Sequence, residues 1–226
     1  MNIQNNKKIL IHSKSVALDA IYCKASLDSE MCCLILADYP GLGGGMSNSI
    51  VRLISDCFNS VGFTTLRLNF RSVVLPPKQG KNNPDMSDAL DALDWLSSHH
   101  PDCSSIWVAG FGYGGDICIR AAMRRPNIDG FVSVSPTFGS QIDFSSLTPC
   151  PNGLIVSGCL DDNVDWRSCE SMAKSFVSQK GCEVKFIPIE GADRIYKNCR
   201  YELERNIKDY LMQIVGFKKV EKAAFL

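Results

Sequence analysis

Residues 105–125 read SIWVAGFGYGGDICIRAAMRR, and this stretch decides how the fold is interpreted. An apolar strand pattern runs into a glycine-rich turn and then into a helical pattern. The turn fits two motifs. Gly110, Gly112 and Gly115 form G-x-G-x-x-G, which is typical of dinucleotide sites. Gly110, Gly112 and Gly114 form G-x-S-x-G, with glycine in place of the nucleophilic serine.

The dinucleotide interpretation lacks its usual context. That motif opens the first βαβ unit, and an acid at the end of the next strand binds the ribose. Here the turn follows the fifth predicted strand. The nearest downstream acid, Asp129, precedes the strand at 130–135 instead of ending it. We therefore expect no dinucleotide site, and the sequence indicates no other cofactor.

A nucleophile elbow, the sharp turn that carries the nucleophile between a strand and a helix, suits this position better. The chain order nucleophile, acid, histidine then predicts an acid after a later strand and a histidine after the last one. The run GLIVSGCLDDNV supplies the acid as Asp161, or as Asp162 beside it. The run CEVKFIPIEGADRIY supplies the last loop, but with Arg194 where histidine is expected.

Strand and helix patterns alternate along the chain, which predicts a single α/β domain over 1–226 with a core at about 7–215 and a tail at 216–226. We expect a mainly parallel sheet, helices on both faces and an N-terminal antiparallel hairpin. In the helix near 85–98, leucines should face the core and the aspartates, Asp88 among them, should point elsewhere. The predicted strands are 7–13, 17–24, 32–38, 63–70, 105–110, 130–135, 153–158 and 182–189. Three further helices are predicted near 47–61, 166–180 and 198–215. Another helix follows the glycine-rich turn and ends near residue 125.

Composition and charge argue against several classes of function. The 24 basic and 24 acidic residues give zero net charge, which offers no electrostatic case for nucleic acid or an anionic membrane as partner. No apolar run approaches the length of a signal or membrane segment, so we expect a soluble, cytoplasmic protein. The eleven cysteines contain no C-x-x-C pair and no zinc-ligand spacing with histidine, which predicts buried, reduced thiols and no metal site.

Taken together, these motifs resemble the α/β-hydrolase fold, in particular the small lidless dienelactone-hydrolase-like proteins, over nearly all of residues 15–215. The resemblance implies a serine nucleophile at the position of Gly112, the acid of the catalytic triad at Asp161, and the triad histidine at the position of Arg194. The stretches that carry the likeness are LILADYPGLGGGMSN, RLNFRS, DALDWL, WVAGFGYGG, RRPNIDGFVSVSP, DFSSLTPCP, GLIVSGCLDDNV and EGADRIY.

Two flanking loops also differ from the family pattern. The relatives carry His-Pro-His-Pro where this chain reads Ala37-Asp38-Tyr39-Pro40, and a glycine-rich R-G-x-G loop where it reads Arg71-Ser72-Val73-Val74. The substitutions therefore extend beyond the triad to the loops around it.

Acyl transfer by this mechanism requires a nucleophile and a base, and the resemblance implies that both are missing. Gly112 has no side chain, and the guanidinium of Arg194 does not deprotonate in proteins. The three histidines do not replace the base. We expect His12 in the opening hairpin, and His99 and His100 at the end of the sheet opposite the elbow.

Part of the binding apparatus is expected to survive. The N–H groups of Tyr113 and Gly114 begin a helix whose positive end faces the cleft, which favours an anion. The loop that contains Tyr39 and Gly41 would supply a second oxyanion donor. Arg194 would either pair with the triad acid and close the site, or stay free to bind an anionic ligand.

Two functions are left open. One is a pseudoenzyme that binds a small anion or a protein partner. The other is a hydrolase of small esters, lactones or dienelactone-like substrates that uses non-standard catalytic residues. The cleft-edge candidates for such roles are Cys159, Asp38, Tyr39 and Tyr113, although we expect Cys159 to serve as packing.

Overall fold

A computed structural model describes residues 6–12, 16–25, 30–39, 44–71, 84–137, 150–177 and 182–224. Strands and helices alternate in it as the sequence predicts. The strands are β1 (Asn6–His12), β2 (Ala17–Cys23), β3 (Met31–Leu36), β4 (Thr64–Leu68), β5 (Ser105–Phe111), β6 (Gly130–Val134), β7 (Gly153–Gly158) and β8 (Val184–Ile189). The helices are α1 (Ser49–Ser60), α2 (Pro84–His99), α3 (Tyr113–Ala122), α4 (Trp166–Val177) and α5 (Arg200–Ala224).

The described strands form one eight-stranded sheet in the order β1-β2-β4-β3-β5-β6-β7-β8. The β1–β2 and β2–β4 pairs are antiparallel, and the pairs from β4 to β8 are parallel. The predicted N-terminal hairpin and mainly parallel sheet are therefore confirmed. Because β3 and β5 are neighbours, the loops after their carboxyl ends are brought together.

Both faces of the sheet are covered by helices, which explains the continuous apolar runs of its central strands. Successive residues of β3 point to opposite faces. Leu34 belongs to the core beneath α2, α3 and α4, whereas Ile35 belongs to the core beneath α1 and α5. Among the described residues, none of the helices combines the length and the apolar character needed to cross a membrane.

Two details of the helices differ from the prediction. Asp88 is buried instead of pointing away from the core. Its carboxylate accepts hydrogen bonds from the backbone N–H of Arg71 (2.8 Å) and from the Arg71 Nε (2.6 Å), and these bonds replace the water that burial removes. Helix α5 continues to Ala224 instead of ending at 215. Its last turns are rich in Lys, Glu and Ala, which favour helix more than the single Gly216 disfavours it.

His100 lies at the amino end of the sheet, away from the elbow, where its Nε2 is 3.2 Å from the hydroxyl of Tyr22. Burial lowers the pKa of His100 below its ordinary value, and the charges of His99 and Lys24 act in the same direction. The unfolded chain therefore takes up this proton at a higher pH than the folded protein does. The resulting stability is complete above pH ~6.5 and is lost as the pH falls through the folded pKa.

We expect the variant His100→Gln to lose less stability on acidification than the wild type, because glutamine has no proton to gain. The measurement is urea unfolding of both proteins at neutral pH and at mildly acidic pH. His12→Gln, on an exposed residue of β1, is the matched control and should follow the wild type. Parallel wild-type and His100→Gln curves across this range would show that His100 is not linked to stability in this way.

Candidate functional site

The glycine-rich turn between β5 and α3 has the geometry of a nucleophile elbow. Gly112 lies at its apex with φ +57° and ψ −121°, a left-handed conformation that suits glycine. The two flanking glycines allow close backbone approach. A Cβ on Gly110 would lie 2.1 Å from the carbonyl oxygen of Gly114, and a Cβ on Gly114 would lie 2.4 Å from that of Leu36. All three positions of the G-x-S-x-G pattern thus have a steric reason for glycine.

The dinucleotide interpretation has no such support. Asp129, the acid nearest to the motif downstream, accepts a hydrogen bond from the N–H of Ile106 (2.9 Å). This bond lies where β5 and β6 begin, at the opposite end of the sheet from Gly112. Asp129 is therefore a structural residue at the amino end of the sheet.

The carboxylate of Asp38 fills the space at the apex of the elbow. Asp38 follows β3 and is buried, with only 2% of the residue exposed. A Cβ built on Gly112 would lie 2.3 Å from both Cγ and Oδ1 of Asp38, and 2.6 Å from Oδ2. The volume in which a nucleophilic side chain would begin is thus occupied by a carboxylate from a neighbouring loop.

The same carboxylate accepts hydrogen bonds from backbone N–H groups of two residues that were predicted to bind an oxyanion. Oδ1 of Asp38 accepts hydrogen bonds from the N–H of Tyr113 and from the N–H of Tyr39, both at 2.8 Å. Gly112 cannot cap α3 with a side chain, so Asp38 caps the helix from another loop and places its negative charge at the positive end of the helix dipole.

The predicted oxyanion residues are thus only partly brought together. Tyr39 and Tyr113 converge on one oxygen, while Gly114 packs against the carbonyl groups of Leu36 and Ala37. Gly41 lies outside the described residues. The roles assigned to all of these residues stay predictions.

Arg194 closes the other side of the Asp38 carboxylate. Its Nη2 is hydrogen-bonded to Oδ2 of Asp38, and its guanidinium carbon lies 5.4 Å from the centre of the Phe111 ring. Its Nη1 is 3.7 Å from Oδ1 of Asp161, which is within ion-pair range but too long for a hydrogen bond. Arg194 is therefore within ion-pair distance of the predicted Asp161, but its hydrogen-bonded partner is Asp38, which was not predicted as a partner.

Asp161 lies in the loop after β7 with its side chain fully buried. Its Oδ1 accepts hydrogen bonds from the backbone N–H groups of Asn163 (2.9 Å) and Val164 (3.2 Å). Oδ2 of Asp161 and Nη1 of Arg194 are buried and have no hydrogen-bond partner among the described residues. The buried cluster therefore holds two carboxylates and one guanidinium, with the α3 terminus offsetting part of the excess negative charge.

Aromatic side chains form the wall next to this cluster. The ring of Tyr113 packs edge-on against Tyr39 (5.3 Å between centroids) and Phe70 (5.8 Å). Its hydroxyl donates to Oδ2 of Asp85, a buried residue in the first turn of α2 (3.0 Å). The site contacts of Asp85 were missed at the sequence level, since nothing local to α2 distinguishes Asp85 from the other aspartates of that helix.

The loop that carries Arg194 is anchored to the segment that follows β6. Ser135 after β6 and Tyr196 after β8 both have positive φ, at 43° and 53°. Their hydroxyl groups form a buried hydrogen bond of 2.9 Å. Strained backbone that is held in place by surrounding contacts is common at functional sites. Here it fixes the position of the backbone from which the Arg194 side chain extends.

Cys159 is poorly suited to replace the missing nucleophile. Burial raises the pKa of its thiol, and the nearby charge of Glu190 acts in the same direction. Because the thiolate is the nucleophile, this shift disfavours a catalytic role and agrees with packing.

Comparison with known proteins fits this geometry. RP471, an uncharacterized protein of Rickettsia prowazekii (strain Madrid E), is 31% identical over 204 residues, which is 87% of this chain and 85% of RP471. The solved structure of ATU1826 from Agrobacterium tumefaciens, a protein of unknown function grouped provisionally with the α/β hydrolases, is 35% identical. It has a TM-score of 0.81, over 93% of this chain and 97% of that one. An α/β serine hydrolase homologue from Coxiella burnetii is 25% identical with a TM-score of 0.76, over 93% and 99%.

The chain belongs to the α/β-hydrolase superfamily. The predicted superfamily is therefore confirmed. A serine hydrolase without a lid (19% identical) and a dienelactone hydrolase (14%) share the fold. No model of a known protein family matches the chain. In this member of the α/β-hydrolase superfamily, the loops after β3, β5, β7 and β8 meet at the carboxyl end of the sheet, and these loops carry Asp38, Gly112, Asp161 and Arg194.

Proposed function

We propose that this α/β-hydrolase-fold protein is a pseudoenzyme that binds a carboxylate group and does not hydrolyse esters. One observation carries the proposal: the Asp38 carboxylate lies at the apex of the elbow and accepts both backbone N–H groups that would stabilise an oxyanion. A substrate carbonyl would need the same donors. Without a side chain on Gly112 and with an arginine at position 194, the cleft also lacks a nucleophile and a base in the usual places.

The internal carboxylate also indicates the class of ligand. Two backbone N–H groups, a helix N-terminus and a guanidinium form a donor set that suits a carboxylate. A ligand carboxylate would take the place of Asp38, either as a small molecule or as an acidic group of a protein partner. Next in sequence to Asp161 and Arg194 are two exposed apolar residues, Leu160 (62% exposed) and Ile195 (52%).

Asp38 competes with any external carboxylate, so the wild type should bind one weakly and Asp38→Gly should bind it at least ~10-fold more tightly. The measurement is thermal unfolding with increasing acetate, with chloride at equal ionic strength as reference. Acetate should stabilise Asp38→Gly more than the wild type, because ligands that bind the folded state raise its stability. The matched control Asp38→Gly/Arg194→Met should respond less, since it lacks the guanidinium.

A second experiment distinguishes a small-molecule carboxylate from a carboxylate of a protein partner. A short peptide with a free C-terminal carboxylate is compared with its amidated twin and with acetate. Preference for the free peptide over acetate favours a protein partner, and preference for acetate favours a small molecule. If Asp38→Gly responds to acetate no more than the wild type does, the donor set does not bind external carboxylates and the proposal fails.

The position of Asp38 also supports a second candidate, a hydrolase in which this carboxylate replaces serine as the nucleophile. Attack of the carboxylate on an ester would form an anhydride, break the acyl–oxygen bond and release the alcohol, and water would then cleave the anhydride to two carboxylic acids. The first candidate is favoured because Oδ1 of Asp38 already uses the N–H groups of Tyr39 and Tyr113. In turnover of nitrophenyl acetate stopped by acid, mass spectrometry would find an acetyl group on the Asp38 peptide if the second candidate were right, and a wild type that releases no nitrophenol would remove it.

A further inference from the structure

A cavity of about 340 Å³ lies at the end of the sheet opposite Gly112, where β3 and β5 begin. Its volume is at the lower end of the range for small-molecule sites. The cavity is separate from the Asp38 cluster, so its chemistry does not depend on the proposed function. The lining residues are two thiols, two imidazoles, three further charged side chains and a proline: Cys32, Cys103, His99, His100, Lys24, Glu30, Asp102 and Pro101.

The two thiols line the same cavity and belong to the same packed cluster of side chains. Cys32 is a buried residue of β3, and Cys103 is a partly exposed residue just before β5. The backbone holds them in register. The N–H of Ser104 donates to the carbonyl of Glu30 at 2.7 Å, and that of Cys103 donates to the carbonyl of His100 at 3.0 Å. The pair is therefore positioned by the sheet itself.

The two thiols differ in acidity. The hydrogen bond from Cys32 lowers the pKa of Cys103 to about 7, against the opposing effect of burial, and backbone hydrogen bonds act with it. The same contact raises the pKa of Cys32. In contrast, burial raises the pKa of Cys159 and of Cys182. The cavity thus contains one thiol suited to attack and a neutral thiol beside it.

We propose that Cys103 is a modification site for small hydroperoxides and that Cys32 is its resolving thiol. The Cys103 thiolate attacks one peroxide oxygen; an S–O bond forms, the O–O bond breaks, and the departing alkoxide takes a proton and leaves as an alcohol. Cys103 is thereby oxidised to a sulfenic acid and the hydroperoxide is reduced. The Cys32 sulfur then attacks that sulfur, an S–S bond forms, and the hydroxyl leaves with the Cys32 proton as water. An external dithiol restores both thiols.

The first test is the selectivity of alkylation in the full-length protein. Brief treatment with iodoacetamide at neutral pH, followed by peptide mass spectrometry, should label Cys103 on the order of 10-fold faster than the partly exposed Cys159, Cys182 and Cys199. Its labelling rate should rise with pH around 7, as the thiolate fraction grows. The titratable and charged groups that face Cys103 in this range are Cys32, Asp129, Lys24, Glu30, His99, His100 and Asp102.

The second test is the product of oxidation. Hydrogen peroxide should give a Cys32–Cys103 disulfide, a loss of two hydrogens that a dithiol reverses. In Cys32→Ala, which removes both the second thiol and its hydrogen-bond donor, Cys103 should stop at a sulfenic acid that dimedone traps, and its alkylation midpoint should move to higher pH. Detection of the Cys32–Cys103 disulfide in wild-type peptides tests the proposal even if that variant folds poorly. Labelling of Cys103 no faster than of Cys159, or peroxide treatment without this disulfide, would overturn the proposal.

Discussion

The triple variant Gly112→Ser/Arg194→His/Asp38→Gly is expected to hydrolyse nitrophenyl esters, whereas Gly112→Ser alone is expected to stay inactive. A serine Cβ at position 112 would lie 2.3 Å from the Asp38 carboxylate, so the single change creates a clash and leaves the backbone donors occupied. Removing Asp38 frees the N–H groups of Tyr39 and Tyr113. Histidine at position 194 would lie near Asp161, which then has the role of the triad acid.

The informative comparison is with the double variant Gly112→Ser/Arg194→His, which keeps Asp38. The triple variant should turn over on the order of 10²–10³-fold faster, which is what one oxyanion donor typically contributes. Asp161→Asn in the triple background is the control and should reduce the rate, since the histidine loses its orienting acid. Equal rates for the double and triple variants would mean that Asp38 does not obstruct the site.

The variant Asp38→Ala is expected to lower the free energy of unfolding by about 3–5 kcal/mol, because it leaves a buried guanidinium without its partner. Only 13% of the Arg194 side chain is exposed, and its remaining acidic neighbour, Asp161, is 3.7 Å away. The N–H groups of Tyr39 and Tyr113 lose their acceptor as well. Urea unfolding of the wild type and the variant measures the difference.

A double-mutant cycle with Arg194→Met separates the ion pair from the lost backbone acceptor. Asp38→Ala/Arg194→Met should cost less than the sum of the single variants, since no charge is then left unpaired. The matched control is the surface pair Lys208–Glu204 on α5, where Glu204→Gln should cost no more than about 1 kcal/mol. If Asp38→Ala costs as little as Glu204→Gln, the Asp38–Arg194 pair does not act as a buried clamp.

The elbow and the sheet could be predicted because their signals are local. Residues 105–110 are a short apolar run, the glycines at 110, 112 and 114 each meet a backbone or side-chain obstacle, and the helix after them is periodic. The same reasoning explains why the mainly parallel sheet could be predicted, since a chain of alternating strands and helices has few ways to form one.

The role of Asp38 could not be predicted in the same way. Its carboxylate meets Gly112 and Arg194 only because β3 and β5 are neighbours, and the contact with Arg194 spans 156 positions of sequence. The sequence does show that Asp38 is an acid at the carboxyl end of β3, the strand next to β5 and the elbow, and that its loop departs from the family pattern. The sequence favours Asp161 as the partner of Arg194, because the family resemblance implies that Asp161 is the triad acid, but backbone N–H groups of its own loop take up one of its oxygens.

Hydrolysis of a panel of nitrophenyl esters by the full-length wild-type protein is the most direct test of whether Asp38 blocks catalysis in this cleft. The Asp38 carboxylate fills the elbow apex and accepts hydrogen bonds from the N–H groups of Tyr39 and Tyr113, so turnover should not exceed that of a heat-denatured sample of the same protein. The triple variant serves as the positive control for the assay. Saturable wild-type turnover that is lost in Asp38→Ala or Asp161→Asn would contradict this conclusion and show that the cleft is catalytic as it stands.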